Sequence, residues 1–255
     1  MLDNEPPIDV LHPRSVAQIL GAALSLYRRY PVLFIVLALV VTAPYELIVL
    51  AALGTAPIGG HSNDASTALV LVLVDVALVG PLISALYAHA VVLIARNERP
   101  RLTTVVSSVA RVLPVVVAAQ IVAGIGIGVG LLAFVIPGVY LWIRWAVVAQ
   151  AAALEHTDWM GALRRSGELV RGHYLHVFGL VLVTTAVNLG LSEAAGAISR
   201  GSKTTATDVI VGIAVGTLIR SFAALTTALL YFDLLARERP AGWSATPMDG
   251  AAPPD

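Results

Sequence analysis

The chain contains no cysteine. That excludes disulfides, thiol nucleophiles and thiolate metal sites. Charge is also scarce: 13% of the 255 residues are charged, against about 25% in soluble domains. Lysine is almost missing, since Lys203 is the only one and the other fifteen basic residues are arginine. This is a compositional bias without chemical content. Net charge is zero, so nothing points to a nucleic-acid partner. The opening MLDNEPPIDVLH is acidic and proline-containing. It lacks the basic start and apolar stretch of a signal peptide, so the first span is expected to stay in the membrane.

What the chain has in abundance is apolar sequence, 58% of its residues, with a mean hydropathy of +0.85. A spanning helix needs about 20 mostly apolar residues. Six stretches qualify: Pro31–Leu53, Ala68–Ala95, Val112–Ile136, Val139–Leu154, Tyr174–Ser192 and Val209–Ala236. The third and fourth are joined only by Pro137-Gly138. They form either a tight hairpin or a re-entrant loop, and the parity of the topology is the same in both cases.

The arginines are sorted. Arg14, Arg28 and Arg29 precede the first span. Arg96, Arg99, Arg101 and Arg111 lie between the second and third. Arg164, Arg165 and Arg171 lie between the fourth and fifth, and Arg237 and Arg239 follow the sixth. The opposite linkers hold only Arg200 and Lys203. The positive-inside rule puts the arginine-rich side, and both termini, in the cytoplasm of a cell (plasma or inner) membrane. The expected architecture is an all-α integral membrane protein. A single six-span domain covers 14–239, between flexible cytoplasmic tails at 1–13 and 240–255.

Three arginine-bearing segments also have helical amphipathicity. In 15–30 the apolar positions are Val16, Ile19, Leu20, Ala23, Leu24, Tyr27 and Tyr30. In 102–113 they are Leu102, Val105, Val106, Val109 and Leu113. In 157–171 they are Met160, Leu163 and Val170, with Thr157 or Asp158 as N-cap and Arg164, Glu168 and Arg171 on a charged face. Such helices lie at the headgroups. Arg28-Arg-Tyr-Pro31, Arg111-Val-Leu-Pro114 and Arg171-Gly-His-Tyr174 stand at matching places. They divide the chain into three tandem units, 14–99, 100–156 and 157–239, each an interfacial helix plus a hairpin.

Several linked motifs occupy the second half. They are Ile136-Pro-Gly-Val-Tyr-Leu-Trp-Ile-Arg-Trp145, Glu155, Ala162-Leu-Arg-Arg-Ser-Gly-Glu-Leu-Val-Arg-Gly-His173, Val177-Phe-Gly179 and Thr226-Thr-Ala-Leu-Leu-Tyr-Phe-Asp-Leu234. In this order the chain resembles the membrane domain associated with glycerophosphoryl diester phosphodiesterases and its stand-alone relatives. The match covers roughly 100 residues well and the first half by pattern. The resemblance implies a membrane fold and location. It does not imply hydrolysis, which belongs to a separate soluble barrel domain. Arg220 departs from the pattern, standing where relatives tend to be apolar or proline.

Charge inside a span is costly and marks functional candidates. Here the set is Glu46, Asp75, Arg144, Glu193 and Arg220. Arg220 is expected near mid-membrane and the other four in the outer half. The functional reading is an outward-open cavity in which Arg144 or Arg220 holds an anionic group such as a phosphate. The structural reading, that these arginines neutralise the carboxylates, is favoured, because buried charges in membranes pair with one another. Trp142 and Trp145 flank Arg144 as pocket walls or interfacial anchors. Gly124, Gly126, Gly128 and Gly130 form two overlapping GxxxG pairs, and Gly212 and Gly216 a third. They read first as close packing inside one protomer, then as a dimer face or a hinge. His156, His173 and His176 are too sparse for a strong metal-site reading. Asp233 is expected to tie to interfacial arginines. No catalytic set, nucleotide loop or cofactor motif occurs.

The sequence therefore favours a non-enzymatic membrane scaffold or accessory protein. Its candidate lipid or partner surface is Arg28, Arg29, Arg111, Arg164, Arg165 and Arg171, facing anionic headgroups or a membrane protein partner. The alternatives are a small transporter or lipid-translocating protein built around Arg144 and Arg220, and, at lower weight, a lipid-modifying intramembrane enzyme.

Overall fold

The computed structural model describes residues 13–53, 70–71, 73–98, 102–155, 157–201 and 205–238. The expected tails, His156, Arg99, Arg101, Arg239 and Lys203 lie outside them. The described residues are helical and include no strand, and five helices are long and apolar enough to cross a bilayer. This is an all-α membrane-embedded protein.

Helix α1 (Val16–Arg29) begins with a capping box: Ser15 Oγ accepts from the Gln18 N–H while Gln18 Oε1 accepts from the Ser15 N–H. It buries Ile19, Ala23 and Leu26, one face at helical spacing, against the bundle. Helix α2 (Pro31–Leu53) starts on proline, whose missing N–H is harmless at that position. One π-helical turn, Asp75–Val79, leads into α3 (Gly80–Ala95), an apolar helix of 16 residues. With the described residues before it, α3 occupies the second expected span.

The second amphipathic segment is not a separate helix. It runs unbroken into the third span as α4 (Leu102–Ala133), 32 residues with Pro114 inside. At 1.5 Å per residue α4 is about 48 Å long, against about 30 Å of hydrocarbon, so part of it must extend past the bilayer core. The first and third units do have separate amphipathic helices, so the tandem pattern holds for two units of three.

The turn after α4 also differs from expectation. It is the single extended residue Phe134 (φ −158°, ψ 139°), and α5 (Val135–Arg144) begins at once. Pro137 sits in the first turn of α5, where it breaks no hydrogen bond. Gly138 is needed for packing, since a Cβ there would lie 2.5 Å from the Leu131 backbone nitrogen. The fourth stretch is then interrupted at Trp145-Ala-Val147 and resumes as α6 (Val148–Leu154).

Helix α7 (Trp159–Val170) is capped by Asp158, whose carboxylate accepts the Gly161 N–H at 2.9 Å. Its buried face is Ala162, Leu163, Ser166, Gly167, Leu169 and Val170, while Met160 is exposed. Helices α8 (Tyr174–Gly201) and α9 (Thr205–Glu238) complete the bundle. Helix α9 packs on α1, α2, α3 and α8. At the centre, Tyr87 Oη lies 2.7 Å from both the Phe34 carbonyl and Ser221 Oγ. A phenol has one proton, so it donates to the carbonyl and accepts from the serine.

Candidate functional site

Three of the five intramembrane charges meet. Arg220 stands near the middle of α9, on the side facing α2 and the π-helical turn. Its Nη2 donates to Asp75 Oδ1 at 2.8 Å, and its Nη1 lies 3.4 Å from Glu46 Oε1. The guanidinium also stacks over the Tyr45 ring, 5.5 Å from its centroid. Tyr45 Oη donates to the Leu71 carbonyl at 3.0 Å, fastening α2 to the segment that carries Asp75. Gly216 makes the approach possible, because a Cβ there would lie 2.8 Å from Arg220 Nη1 and 3.4 Å from Glu46 Oε1. A π-helical turn rotates the residues after it and is common at functional positions. Here it carries Asp75 as its first residue.

The other two charges stay apart. Glu193 is exposed on α8. Arg144 does not share a cavity with Arg220. Its Nη1 donates to Tyr140 Oη at 3.1 Å, and Tyr140 Oη lies 3.4 Å from Tyr174 Oη at the start of α8. The guanidinium crosses α7 at Gly167, where a Cβ would lie 2.9 Å from it. Ser166 Oγ donates to the Arg144 carbonyl. Arg144 thus lies against the segment bearing Arg164, Arg165 and Arg171. Of the flanking tryptophans, Trp145 lays its ring on Gly126, where a Cβ would lie 2.6 Å away. Trp142 lines a cavity.

That cavity, about 180 Å³, lies between the helix interruption, α8 and α9. Its lining is mostly apolar, with Thr184, Thr185, Asn188, Thr226 and Thr227 as the polar residues. Asn188 Oδ1 and Thr226 Oγ1 have no hydrogen-bond partner, and Gln150 Nε2 donates to Thr227 Oγ1 from behind.

A second ionic cluster ties helix ends together, and hydropathy patterning did not indicate its geometry. Arg165 donates from Nε to Glu155 (2.9 and 3.0 Å), and from Nη1 and Nη2 to the two oxygens of Glu238 at 2.7 and 2.6 Å. Tyr231 Oη donates to Glu155 at 2.7 Å. These bonds, Glu238 first, raise the Arg165 guanidinium pKa above its ordinary value, so it stays charged. Beside this clamp, buried Asp233 accepts from Arg237 Nε at 2.7 Å and from the Arg14 backbone N–H. Its Oδ2 also lies 3.1 Å from His176 Nε2. Arg237 donates to the Arg14 carbonyl at 2.7 Å. Asp233 therefore ties to α9's own arginine and to backbone just before α1, and His176 is its neighbour. The described residues hold no group of three or more potential metal ligands among His, Asp and Glu.

Of the six proposed surface arginines, Arg28, Arg29, Arg111, Arg164 and Arg171 are exposed. Arg164 pairs with Glu168 one turn along its own helix. Arg165 is withdrawn into the clamp.

The glycines divide by face. Gly126 and Gly130 are packed inside the protomer, Gly130 against the backbone of Gly138. Gly124 and Gly128 face open space.

A bundle of apolar helices with its buried charge paired inside defines the class, a polytopic α-helical membrane protein. The chain belongs to the family described as a domain of unknown function, DUF7847, which matches residues 15–234. No curated protein and no solved structure matches it.

Proposed function

We propose that this protein is a non-enzymatic membrane accessory or scaffold that engages anionic lipid through its arginine-bearing segments. Its six spans cross the cell membrane, with both termini in the cytoplasm. A relationship to the membrane domain of the glycerophosphoryl diester phosphodiesterases is part of this reading, and it rests on the linked motifs of the second half, which include Glu155, Arg165, Tyr231 and Asp233. The observation that carries the proposal is the contrast between the arginines. Arg220 and Arg165 each lie against two acidic side chains, whereas Arg28, Arg29, Arg111 and Arg171 are exposed in the segments flanking the spans. Each arginine near an anionic surface contributes about 1 kcal/mol.

The test is native mass spectrometry of the purified protein after exchange into mixed zwitterionic and anionic lipid. The wild type should retain anionic lipid preferentially, and replacing those four arginines by glutamine should abolish the preference. Absence of a preference in the wild type would refute the proposal. Orientation is tested with single cysteines at Ser62, Ser202 and Thr104 and an impermeant reagent on intact cells. Labelling at Thr104, or none at the other two, would overturn it. A second reading, a small transporter, is favoured by the cavity beside the helix interruption, a mostly apolar hollow with unpartnered Asn188 and Thr226 oxygens, since broken helices line substrate sites in transporters.

A further inference from the structure

The Arg220 cluster is not electrically balanced. One guanidinium faces two carboxylates, Glu46 and Asp75, a formal excess of one negative charge. No other charged side chain is paired with these three among the described residues. The partners are also unequal. Asp75 takes the short contact at 2.8 Å, and its side chain is 32% exposed. Glu46 takes only the long contact at 3.4 Å, through Oε1, and its side chain is 4% exposed. Glu46 Oε2 is buried and has no hydrogen-bond partner. An ionised carboxylate in that position is very costly in a low-dielectric interior.

Two further buried hydroxyls on the same two helices have no partner: Thr42 Oγ1, one helical turn before Glu46 on α2, and Thr217 Oγ1, next to Gly216 on α9. A Cβ at Gly216 would lie 3.4 Å from Glu46 Oε1 and 3.8 Å from the Thr42 methyl carbon, so α9 comes into contact with α2 at this point. Among the described residues the cluster therefore lacks one positive charge, and Glu46 Oε2 lacks a hydrogen-bond donor.

We infer that Glu46 is a buried proton-binding site: its Oε2 carries an exchangeable proton, while Asp75 alone is the counter-ion of Arg220. A proton suits the site better than a metal cation. Among the described residues at most three buried unpartnered oxygens, on Glu46, Thr42 and Thr217, are candidates, whereas hard cations such as calcium and magnesium collect six or more. Asp75, on the same guanidinium, is the more exposed of the two carboxylates. The remaining titratable groups facing Glu46 are Tyr45 from α2, Asp75 from the π-helical turn and Arg220 from α9. The sign is the reverse of an anion site at Arg220: the cluster is short of positive charge, not of negative. This assignment stands independently of lipid binding by the surface arginines.

The test is infrared difference spectroscopy of the full-length protein in lipid vesicles, with thermal unfolding followed as pH is raised. The wild type should show the carbonyl band of a protonated carboxyl at neutral pH. That band should disappear in Glu46→Gln and persist in Asp75→Asn. A proton held in the native state but not in the unfolded chain makes wild-type stability fall as pH rises from the ordinary carboxylate pKa through the folded one, a slope that Glu46→Gln should lack. A wild type without the band, or a band that survives Glu46→Gln, would overturn the assignment. So would sodium stabilisation of the wild type that vanishes in Glu46→Gln, because the occupant would then be a metal ion. Failure of Glu46→Gln to assemble would also overturn it, because the amide is the nearest uncharged mimic.

Discussion

Replacing Arg165 by glutamine should destabilise the protein far more than the same change at its neighbour Arg164. Arg165 bridges Glu155 at the end of α6 and Glu238 at the end of α9, with its own side chain 23% exposed and that of Glu155 26%. Removing it strands two carboxylates. Stranding a fully buried charge costs about 3–5 kcal/mol, while breaking an exposed pair costs about 0–1 kcal/mol. Partial burial, with Glu238 48% exposed, puts the loss at about 2 kcal/mol between those limits. For a domain of this size that corresponds to roughly 4–8 °C in Tm. Arg164, 81% exposed and paired within its own helix, should shift Tm by no more than about 2 °C. Tryptophan fluorescence during heating in detergent micelles reads both, since Trp142, Trp145 and Trp159 lie on α5, at its end and on α7. Arg165→Lys should fall between wild type and Arg165→Gln, because an ammonium keeps the charge but cannot reproduce the fork that grips both carboxylates. Adding Glu155→Gln to Arg165→Gln should recover part of the loss. Equal effects at Arg164 and Arg165, or no recovery in the double variant, would refute the clamp.

Gly128→Ala and Gly130→Ala should shift stability in opposite directions when measured by the same melts. The first meets open space and gains helix propensity worth up to about 1 kcal/mol. The second drives a methyl to 2.9 Å from the Gly138 Cα and should cost about 1–3 kcal/mol. Tyr87→Phe should cost about 1–2 kcal/mol, because the Phe34 carbonyl loses its buried donor; an unchanged Tm would show that water replaces the phenol. Arg220→Leu should prevent assembly, judged by loss of the monodisperse peak in size-exclusion chromatography, because Asp75 then loses its counter-ion and Glu46 its hydrogen-bond donor inside the bundle. A stable, monodisperse Arg220→Leu protein would contradict the structural role of the cluster.

Hydropathy and cost arguments made much of this readable in advance. The membrane class followed from long apolar stretches, and the meeting of Glu46, Asp75 and Arg220 from the cost of leaving them separate. What escaped was whatever hydrophobicity does not encode. Pro137-Gly138 looks like a turn, yet proline is harmless in a first helical turn and Gly138 is there for close packing. The interruption at Trp145-Ala-Val147 carries no proline or glycine, so no local signal announced it. The buried face of α7 includes Ala162, Ser166 and Gly167 beside Leu163, Leu169 and Val170, while Met160 points outward. The close approach of Arg144 to Gly167 depends on those small residues, which hydropathy does not mark. The motif residues Glu155, Arg165 and Tyr231 were visible in the sequence, but their convergence with Glu238 depends on how four separate segments pack.

The contacts of α9 impose an order on biogenesis. Glu46 and Asp75 are made long before Arg220, and α1 long before Asp233, which holds the backbone ahead of it. Early helices therefore enter the bilayer with their ionic partners still in the ribosome. Until the last helix arrives, the acidic side chains of α2 and of the turn before α3 must remain protonated, hydrated or chaperoned. A chain arrested before Thr205 would be a half-neutralised bundle, recognisable to membrane quality control by the carboxylates it cannot satisfy.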